Sequence, residues 1–191
     1  MYVAGVDEAG RGPLAGPVIA AAVILSNKVI PGLKDSKKLT KKELSKLDVI
    51  IRNEAISFNV SEASVLEIEK LNILEASLLA MTRAINGLKV KPDIVLVDGS
   101  HAPKSVFPTK TIIKGDTKEE SIMAASILAK VTRDKIMIKL DKFFPKYGFK
   151  FHKGYPTEFH RMAIKNFGIC KHHRRTFKPI KNLDNILNNE S

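Results

Sequence analysis

Four acidic residues of this chain lie where apolar segments end, at positions that would fall at the tips of strands in a sheet. They are Asp7, Glu8, Asp98 and Asp116. In a basic protein, acids grouped at neighbouring strand tips repel one another unless a cation neutralises them. Mg²⁺ and Mn²⁺ are hard cations that take oxygen ligands. Two such ions roughly 3.5–4 Å apart can activate a water and stabilise the leaving oxygen of a phosphodiester. The pattern therefore favours a divalent-metal site for phosphodiester hydrolysis.

Each acidic residue also has a structural interpretation. Asp98-Gly99 is a common turn dipeptide. Asp116 could favour a helix N-terminus through the helix dipole, and Asp7-Glu8 could be solvated loop acids. Neighbours in a regular strand also point to opposite faces. Asp7 and Glu8 can then share one site only if the strand bends, which Gly10 and Gly12 would permit.

The elements that would position these residues alternate between strand and helix. Strands are predicted at Tyr2–Val6, Val18–Leu25, around Ile56–Val60, Ile94–Val97 and Thr109–Ile113. A helix is predicted to follow each of the capping boxes Thr40–Glu43 and Thr117–Glu120, the second reaching about Phe144, with further helices at Ser61–Ile85 and Thr157–Phe167. This order predicts an α/β protein, a mixed sheet flanked by helices, with no domain boundary.

The composition points to an anionic partner. Lys and Arg number 32 and Asp and Glu 20, a formal net charge of +12. Nucleic acid is the commonest large partner of such a protein, although a solubility bias would give the same balance. Cys170 is the single cysteine, so no intrachain disulfide can form and a reducing compartment fits best. We expect a cytoplasmic protein without a membrane span, because no signal-peptide or membrane-length apolar run is seen.

The most distinctive segment is the glycine-rich run Asp7–Val18. It lacks the ending of a P-loop, and a strand replaces the helix that a dinucleotide fingerprint requires. Here the chain resembles the ribonuclease HII family. The matching segments are Asp7–Val18, Lys34–Leu39, Val97–Gly99, Lys114–Asp116, Ser121–Asp134, His152–Thr157 and His173–Phe177.

The resemblance implies an RNase H-like nuclease domain over residues 1–191, in which about 145–191 form a helical, substrate-binding C-terminal extension. Asp7, Glu8, Asp98 and Asp116 would be the catalytic, metal-binding acids for Mn²⁺ or Mg²⁺. The substrate-binding residues would be Gly10, Arg11, Gly12, Lys37 and Tyr155, with the Gly-Arg-Gly turn and Tyr155 reading the ribose 2′-OH at an RNA-to-DNA junction.

The resemblance also implies the reaction. The expected substrates are RNA–DNA hybrids and duplex DNA that contains ribonucleotides, and the products carry 5′-phosphate and 3′-hydroxyl ends. The 2′-OH is the group by which a protein can distinguish RNA from DNA at one position. With three Tyr and no Trp there is little stacking platform for single strands, so duplex binding fits better. We expect a monomer.

Several basic residues stay ambiguous from sequence. Lys34, Lys37 and Lys38 could hold phosphates or form a solvated loop, and the same alternatives apply to His173-Arg174-Arg175. His160 is interpreted as a helix-surface residue. Cys170, His172 and His173 lack a complementary pair of ligands, which disfavours a zinc site.

Three other classes of protein are alternatives. The first alternative is a three-prime exonuclease that uses the same acidic chemistry. The first acidic motif of such enzymes is Asp-x-Glu, whereas Asp7 and Glu8 are adjacent here. Ribonuclease HIII is similar but has Gly-Lys-Gly at this turn and carries an N-terminal domain. Because six residues precede Asp7, we expect no such domain here. A noncatalytic nucleic-acid-binding module would need the basic surface but not four acids at strand ends.

Overall fold

The computed structural model describes residues 1–182, and within them one sheet of five strands forms. The strands are β1 (Val3–Ala9), β2 (Val18–Ile24), β3 (Ser57–Ala63), β4 (Ile94–Asp98) and β5 (Thr109–Ile112). Their order across the sheet is β3-β2-β1-β4-β5. The pairs β1–β2 and β2–β3 are antiparallel, and β1–β4 and β4–β5 are parallel. The predicted mixed sheet is confirmed.

Helices cover both faces of this sheet. They are α1 (Lys41–Glu54), α2 (Val65–Leu71), α3 (Ile73–Asn86), α4 (Glu120–Phe143), α5 (Phe149–His152) and α6 (Glu158–Phe167), with short 3₁₀ helices at Ser36–Lys38, Gly115–Thr117 and Pro145–Tyr147. No helix in residues 1–182 combines the length and apolar character of a membrane span.

Strand β2, which lies between β3 and β1, is buried on both faces, and its side chains contribute to two separate parts of the core. Alternate residues of a strand point to opposite faces. Val18, Ala20 and Ala22 pack with residues of α3, whereas Ile19 and Ala21 pack with residues of α1 and α4. The long helix α4 also lies directly against β1. A Cβ at Gly5 would overlap the backbone of Ser121, so this close approach requires glycine.

Two helix predictions were wrong. The segment Ser61–Ile85 is not one helix, because β3 continues to Ala63 and Asn72, with a φ of 75°, separates α2 from α3. The Asn72 side chain accepts a hydrogen bond from the amide of Glu75 and so begins a new helix. Thr117 forms no capping box for α4. It belongs to a 3₁₀ helix, and α4 begins at Glu120 without a side-chain cap.

The chain after α4 packs around the loop between β1 and β2. Ala15 belongs to one small apolar cluster with Met137, Tyr147 and Phe149, and Leu14 lies with Ile164 and Ile180 in another. A β-bridge also joins Ala15 to His173. Of the segment 145–191 expected to form an extension, residues 183–191 lie outside the described part. The rest holds α5, α6 and irregular segments that surround this loop.

Candidate active site

Strand register brings Asp7 and Asp98 together. The last paired residues of the parallel strands β1 and β4 are Val6 and Val97, and both are buried on the α3 face of the sheet. The next residue of each strand must point to the opposite face. Asp7 and Asp98 therefore lie side by side on the face covered by α4. Contrary to the strand limits expected from sequence, Asp7 and Glu8 lie inside β1, which extends to Ala9.

Asp116 reaches the same point from the 3₁₀ helix that follows β5. One carboxylate oxygen of Asp98 accepts a hydrogen bond from the amide of Gly115 at 2.6 Å, which holds this short helix against the end of β4. A Cβ at Gly115 would lie in contact with Asp98 and overlap Ile122, so the turn depends on glycine here. Asp116 is 4% exposed.

Carboxylate oxygens of Asp7, Asp98 and Asp116 lie within 4.8 Å of one another. All three donors are oxygens, which suits a hard divalent cation and not a thiophilic metal. The three also come from separate elements that are fixed by the sheet and by α4, so the cluster is preorganised. These residues fit the metal site that their sequence positions predict.

Glu8 lines the same cleft but lies outside this close group of oxygens. It pairs with Ala20, whose side chain belongs to the α3 face, whereas Asp7 pairs with Ala21 on the α4 face. Although β1 stays paired with β2 through Ala9, the Glu8 side chain still reaches the cleft, close enough to Asp7 for the two carboxylates to shift each other's pKa. Glu8 also lies 3.5 Å from the guanidinium of Arg11.

Burial and repulsion from neighbouring carboxylates raise the pKa of Asp7 and of Glu8. Burial raises the pKa of Asp7 well above its usual value, and the charges of Glu8 and Asp98 raise it further. Burial also raises the pKa of Glu8, although Arg11 opposes this shift. Neighbouring like charges in a buried site are a feature of functional centres, since a bound cation would relieve the repulsion.

The remaining site residues predicted from sequence line one cleft with the four acids. Its volume is about 430 Å³, and it includes Gly10, Arg11, Gly12, Lys37 and Tyr155. The Lys37 ammonium lies 2.7 Å from a carboxylate oxygen of Asp116. That hydrogen bond raises the pKa of Lys37. The aromatic ring of Tyr155 faces Gly12 and is partly open to solvent.

Buried histidines hold the backbone at Tyr155. Nδ1 of His160 donates to the carbonyl of Tyr155 at 2.9 Å, which leaves its Nε2 as an acceptor. Nδ1 of His173 accepts from the amide of Cys170, so its Nε2 carries the proton and donates to His160 at 3.1 Å. His160 is fully buried, and its interpretation as a surface residue was wrong.

His152 completes this arrangement on the other side of the tyrosine. Its Nε2 donates to the carbonyl of Tyr147, and its Nδ1 accepts from the amide of Gly154. The imidazole rings of His152 and His160 stack with centroids 4.4 Å apart. Neutral histidines thus satisfy every bond in the network and fix the chain on both sides of the Gly154–Tyr155 peptide.

Two buried serines near the acids were not found from sequence. Ser126 of α4 hydrogen-bonds the Asp7 carboxylate, which partly offsets the rise in its pKa. The hydroxyls of Ser126 and Ser36 lie 2.9 Å apart. Serines at these positions look like ordinary helix and loop residues, and only the packing of α4 on the sheet places them behind Asp7. Lys130, Arg133 and Asp134 of α4 also border the cleft.

In the cluster His173-Arg174-Arg175, burial decides between the two interpretations for the first two residues. His173 and Arg174 are buried, at 1% and 0% exposure, so neither is a solvated residue or a phosphate ligand. Arg175 is exposed. Arg174 hydrogen-bonds to backbone carbonyls of the glycine-rich loop. One of them belongs to Gly16, which is 158 residues away from Arg174 in sequence.

Oxygen ligands gathered at the ends of parallel strands, in a chain of net charge +12, define a class of divalent-metal-dependent enzymes that act on phosphodiesters. A family model for ribonuclease HII matches residues 4–180. The chain belongs to the ribonuclease HII family, the type 2 ribonucleases H, which are metal-dependent endonucleases.

Individual relatives cover nearly the whole chain. Ribonuclease HII of Chromobacterium violaceum is 54% identical over 183 residues, 95% of this chain and 92% of the relative. Ribonuclease HII of Nitrosococcus oceani is 53% identical over 180 residues, 94% of this chain and 90% of the relative. The crystal structure of ribonuclease H2 from Pyrococcus horikoshii OT3 superposes with a TM-score of 0.82 at 30% identity, covering 98% and 99% of the two chains. The expected RNase H-like fold is confirmed.

Proposed function

We propose that this protein is an endoribonuclease that cleaves the RNA strand of RNA–DNA hybrids and incises duplex DNA at embedded ribonucleotides, leaving 5′-phosphate and 3′-hydroxyl ends. The observation that carries the proposal is the cluster of Asp7, Asp98 and Asp116 oxygens within 4.8 Å, in one cleft with the Gly-Arg-Gly turn and Tyr155. Acids alone would fit many hydrolases, and the turn and the tyrosine add a means to recognise ribose.

Asp7, Asp98 and Asp116 would hold the divalent cations, Mn²⁺ or Mg²⁺, and Glu8 would complete the set from the adjacent wall of the cleft. When bound, the cations would activate the attacking water and neutralise charge on the leaving oxygen. Asp98 also keeps Gly115 in place, so it has a positioning role besides its ligand role.

The other cleft residues bind and orient the nucleic acid. The Lys37 side chain is mostly exposed, so its ammonium can move from Asp116 to a phosphate oxygen of the bound strand. Gly12 carries no side chain, and its backbone can approach a sugar closely. Tyr155 offers a flat face to the neighbouring sugar and a hydroxyl to the 2′-OH.

We also propose that residues from about 145 onward act as a substrate-binding extension of a single nuclease domain, and that the protein works as a monomer. Support comes from the way this part packs around the Gly10–Pro17 loop and carries Tyr155 into the cleft. The cleft is lined by residues of one chain, so no second copy is needed to complete it.

The test uses three duplexes of one sequence, namely all-DNA, DNA with one ribonucleotide, and an RNA–DNA hybrid, each incubated with Mg²⁺, Mn²⁺ or EDTA. We expect incision only in the two ribose-containing duplexes and only with a divalent cation. End-labelled products should show 3′-hydroxyl termini. Incision of the all-DNA duplex, or cleavage in EDTA, would contradict the proposal.

A further inference from the structure

Within the described residues 1–182, two buried arginines have no acidic partner. Arg174 is fully buried and Arg133 is 2% exposed. Their side-chain hydrogen bonds, within the described residues 1–182, all go to backbone carbonyl oxygens. Buried charges are normally paired with opposite charges, because burial of an isolated ion is costly. An arrangement of two such cations therefore calls for an explanation.

Arg174 bonds to four carbonyls of the turn that enters the cleft. Its guanidinium donates to Gly10 at 2.6 Å, to Arg11 at 3.0 Å, to Pro13 at 2.8 Å and to Gly16 at 2.9 Å. The planar guanidinium offers five donors in a fixed fork, so one side chain can hold carbonyls that face it from several directions.

Arg133 holds the far side of the same segment. Its guanidinium donates to Ala15 at 3.0 Å and Pro17 at 3.1 Å, and also to Lys153, two residues before Tyr155, at 2.9 Å. The amide of Arg174 adds a bond to the Leu14 carbonyl. Of the eight carbonyls from residue 10 to residue 17, all but that of Gly12 accept a bond from one of the two arginines.

The segment is built around these guanidiniums. Gly10 and Gly16 have φ values of 99° and 85°. A Cβ at Gly10 would overlap the Arg133 side chain, and one at Gly16 would overlap Met137. Burial lowers the pKa of Arg174 to about 9 and that of Arg133 to about 10, and the charge of Arg133 contributes to the shift of Arg174.

The solvent-exposed part of the turn borders the cleft. Arg11 and Gly12 are exposed, and Tyr155 lies opposite Gly12. The cluster Asp7, Asp98 and Asp116 is formed by other contacts, namely strand register and the Asp98–Gly115 bond. The arginines thus fix the Gly-Arg-Gly turn independently of the carboxylates.

We propose that Arg174 and Arg133 are positioning residues for ribose recognition, which hold the Gly10–Pro17 turn so that Arg11 and Gly12 present one fixed surface to the sugar of the substrate. The inference rests on the proposed function, because it assigns a purpose to the turn within that reaction. Arg133 also borders the cleft, but its guanidinium hydrogen-bonds to backbone carbonyls. Both act through the backbone of the turn.

The test compares Arg174→Lys with Arg175→Lys. Arg174→Lys keeps the buried positive charge but loses the planar guanidinium, and one ammonium cannot reach four carbonyls that lie in different directions. The second makes the same change at the adjacent, exposed residue. Three quantities are measured below the unfolding temperature, namely kcat/KM on the single-ribonucleotide duplex, affinity for the all-DNA duplex, and Mn²⁺ affinity by electron paramagnetic resonance.

For Arg174→Lys we expect kcat/KM to fall about 100-fold, the scale of a misplacement of about 1 Å in a binding site. Affinity for Mn²⁺ should stay within about twofold, because the carboxylates do not depend on the turn. Affinity for all-DNA duplex should fall much less than kcat/KM, because Arg11 supplies only one of the phosphate contacts at the cleft. Amide hydrogen exchange in residues 10–17 should become faster. Arg175→Lys should match the parent in every measurement.

Two results would overturn the inference. One is a folded Arg174→Lys protein with parental kcat/KM, and the other is a parallel loss of all three quantities, as a merely structural role would give. If Arg174→Lys does not fold, Arg133→Lys is tested by the same criteria. A parent protein that cuts no ribonucleotide-containing duplex would instead refute the proposed function itself.

Discussion

At the scale of single residues, the fold makes the charged form of Asp7 unfavourable. Asp7 is 5% exposed and lies near the charges of Glu8 and Asp98, which together with burial raise its pKa. The folded protein therefore binds a proton at Asp7 more tightly than the unfolded chain does. Its contribution to stability becomes less favourable as the pH rises from the unfolded pKa through the folded one. Binding of a cation would remove this cost.

Asp7→Asn is expected to separate stability from activity. The amide keeps the acceptor that bonds the Glu8 amide but removes a buried charge. We expect metal-dependent cleavage to fall at least about 1000-fold, or about 4 kcal/mol of transition-state stabilisation. The free energy of unfolding of the metal-free protein should rise by about 1 kcal/mol. Urea denaturation in EDTA at pH 8, with cleavage assays in Mg²⁺, measures both.

The matched control is Asp93→Asn, which makes the same change at an exposed residue that accepts a bond from the Tyr2 amide at the far end of β4. It should leave cleavage unchanged and should not increase stability. If Asp7→Asn retains turnover, Asp7 is not a metal ligand.

Tyr155→Ala tests the recognition of ribose by a side chain. Loss of an aromatic contact to nucleic acid costs about 1–3 kcal/mol, so kcat/KM on the single-ribonucleotide duplex should fall about 5- to 150-fold. The melting temperature should change little, since Tyr155 is 48% exposed. Phe143→Ala, at an aromatic residue that is 78% exposed at the end of α4, serves as the control. Equal cleavage by the parent and Tyr155→Ala would exclude the assigned role.

At the scale of secondary-structure elements, local patterns predicted most of the sheet. The five predicted strands all form, and the alternation of side chains explains why Asp7 and Asp98 meet. Helix ends were less predictable. The break at Asn72 depends on a left-handed backbone conformation that the apolar periodicity of α2 and α3 hides. An asparagine three residues before Glu75 was the one local signal for it.

Contacts between distant elements could not be predicted in this way. Arg174 and Gly16 are 158 residues apart in sequence, and His160 meets His173 only because α6 folds back on the segment that follows it. A basic or polar residue with long-range backbone partners has no distinguishing local pattern. The resemblance to the family identified the segments that contain Gly16, His173 and Arg174, but it did not indicate their burial, and His160 lies outside those segments.

The histidine cluster gives the C-terminal elements a dependence on pH. Burial lowers the pKa of His160 and of His173 to about 4. The charges of His152 and His172 act in the same direction. Protonation would place two N–H donors against each other at the His160–His173 contact.

Between pH 6.5 and about 4 the unfolded chain binds more protons than the folded protein, so the free energy of unfolding should fall as the pH falls. The expected loss is on the order of 3 kcal/mol per histidine by pH 4. Urea denaturation at pH 7.5, 6 and 5 measures it. His173→Gln should flatten this dependence, whereas His101→Gln at an exposed histidine should not. A parental stability that is constant from pH 7.5 to 5 would contradict the assigned protonation states.

At the scale of the whole molecule, a chain with a net charge of +12 contains a cleft lined by four acidic residues of the candidate site. Besides the buried Arg133, three basic side chains border that cleft, Arg11, Lys37 and Lys130, and a phosphate backbone would pass them to reach the carboxylates. The positive net charge raises the local concentration of an anionic duplex near the protein. The carboxylates of the cleft can then bind the divalent cations that the duplex brings with it.

Binding of an all-DNA duplex should therefore depend strongly on salt. If each of the three cleft cations neutralises one phosphate, the logarithm of the association constant should fall with the logarithm of salt concentration with a slope of about −2.7. That corresponds to about 40-fold weaker binding at 200 mM than at 50 mM salt. Fluorescence anisotropy with a labelled duplex in EDTA measures the slope without cleavage.

Lys130→Gln should make that slope shallower by about 0.9, because one fewer counterion is released when the duplex binds. Lys89→Gln removes the same charge from an exposed residue whose amide bonds to Ser57, at the opposite end of the sheet, and it should leave the slope unchanged. If both variants shift the slope equally, the duplex senses the total charge of the protein. If only Lys130→Gln shifts it, the duplex passes along the cleft, where its sugars can reach Gly12 and Tyr155.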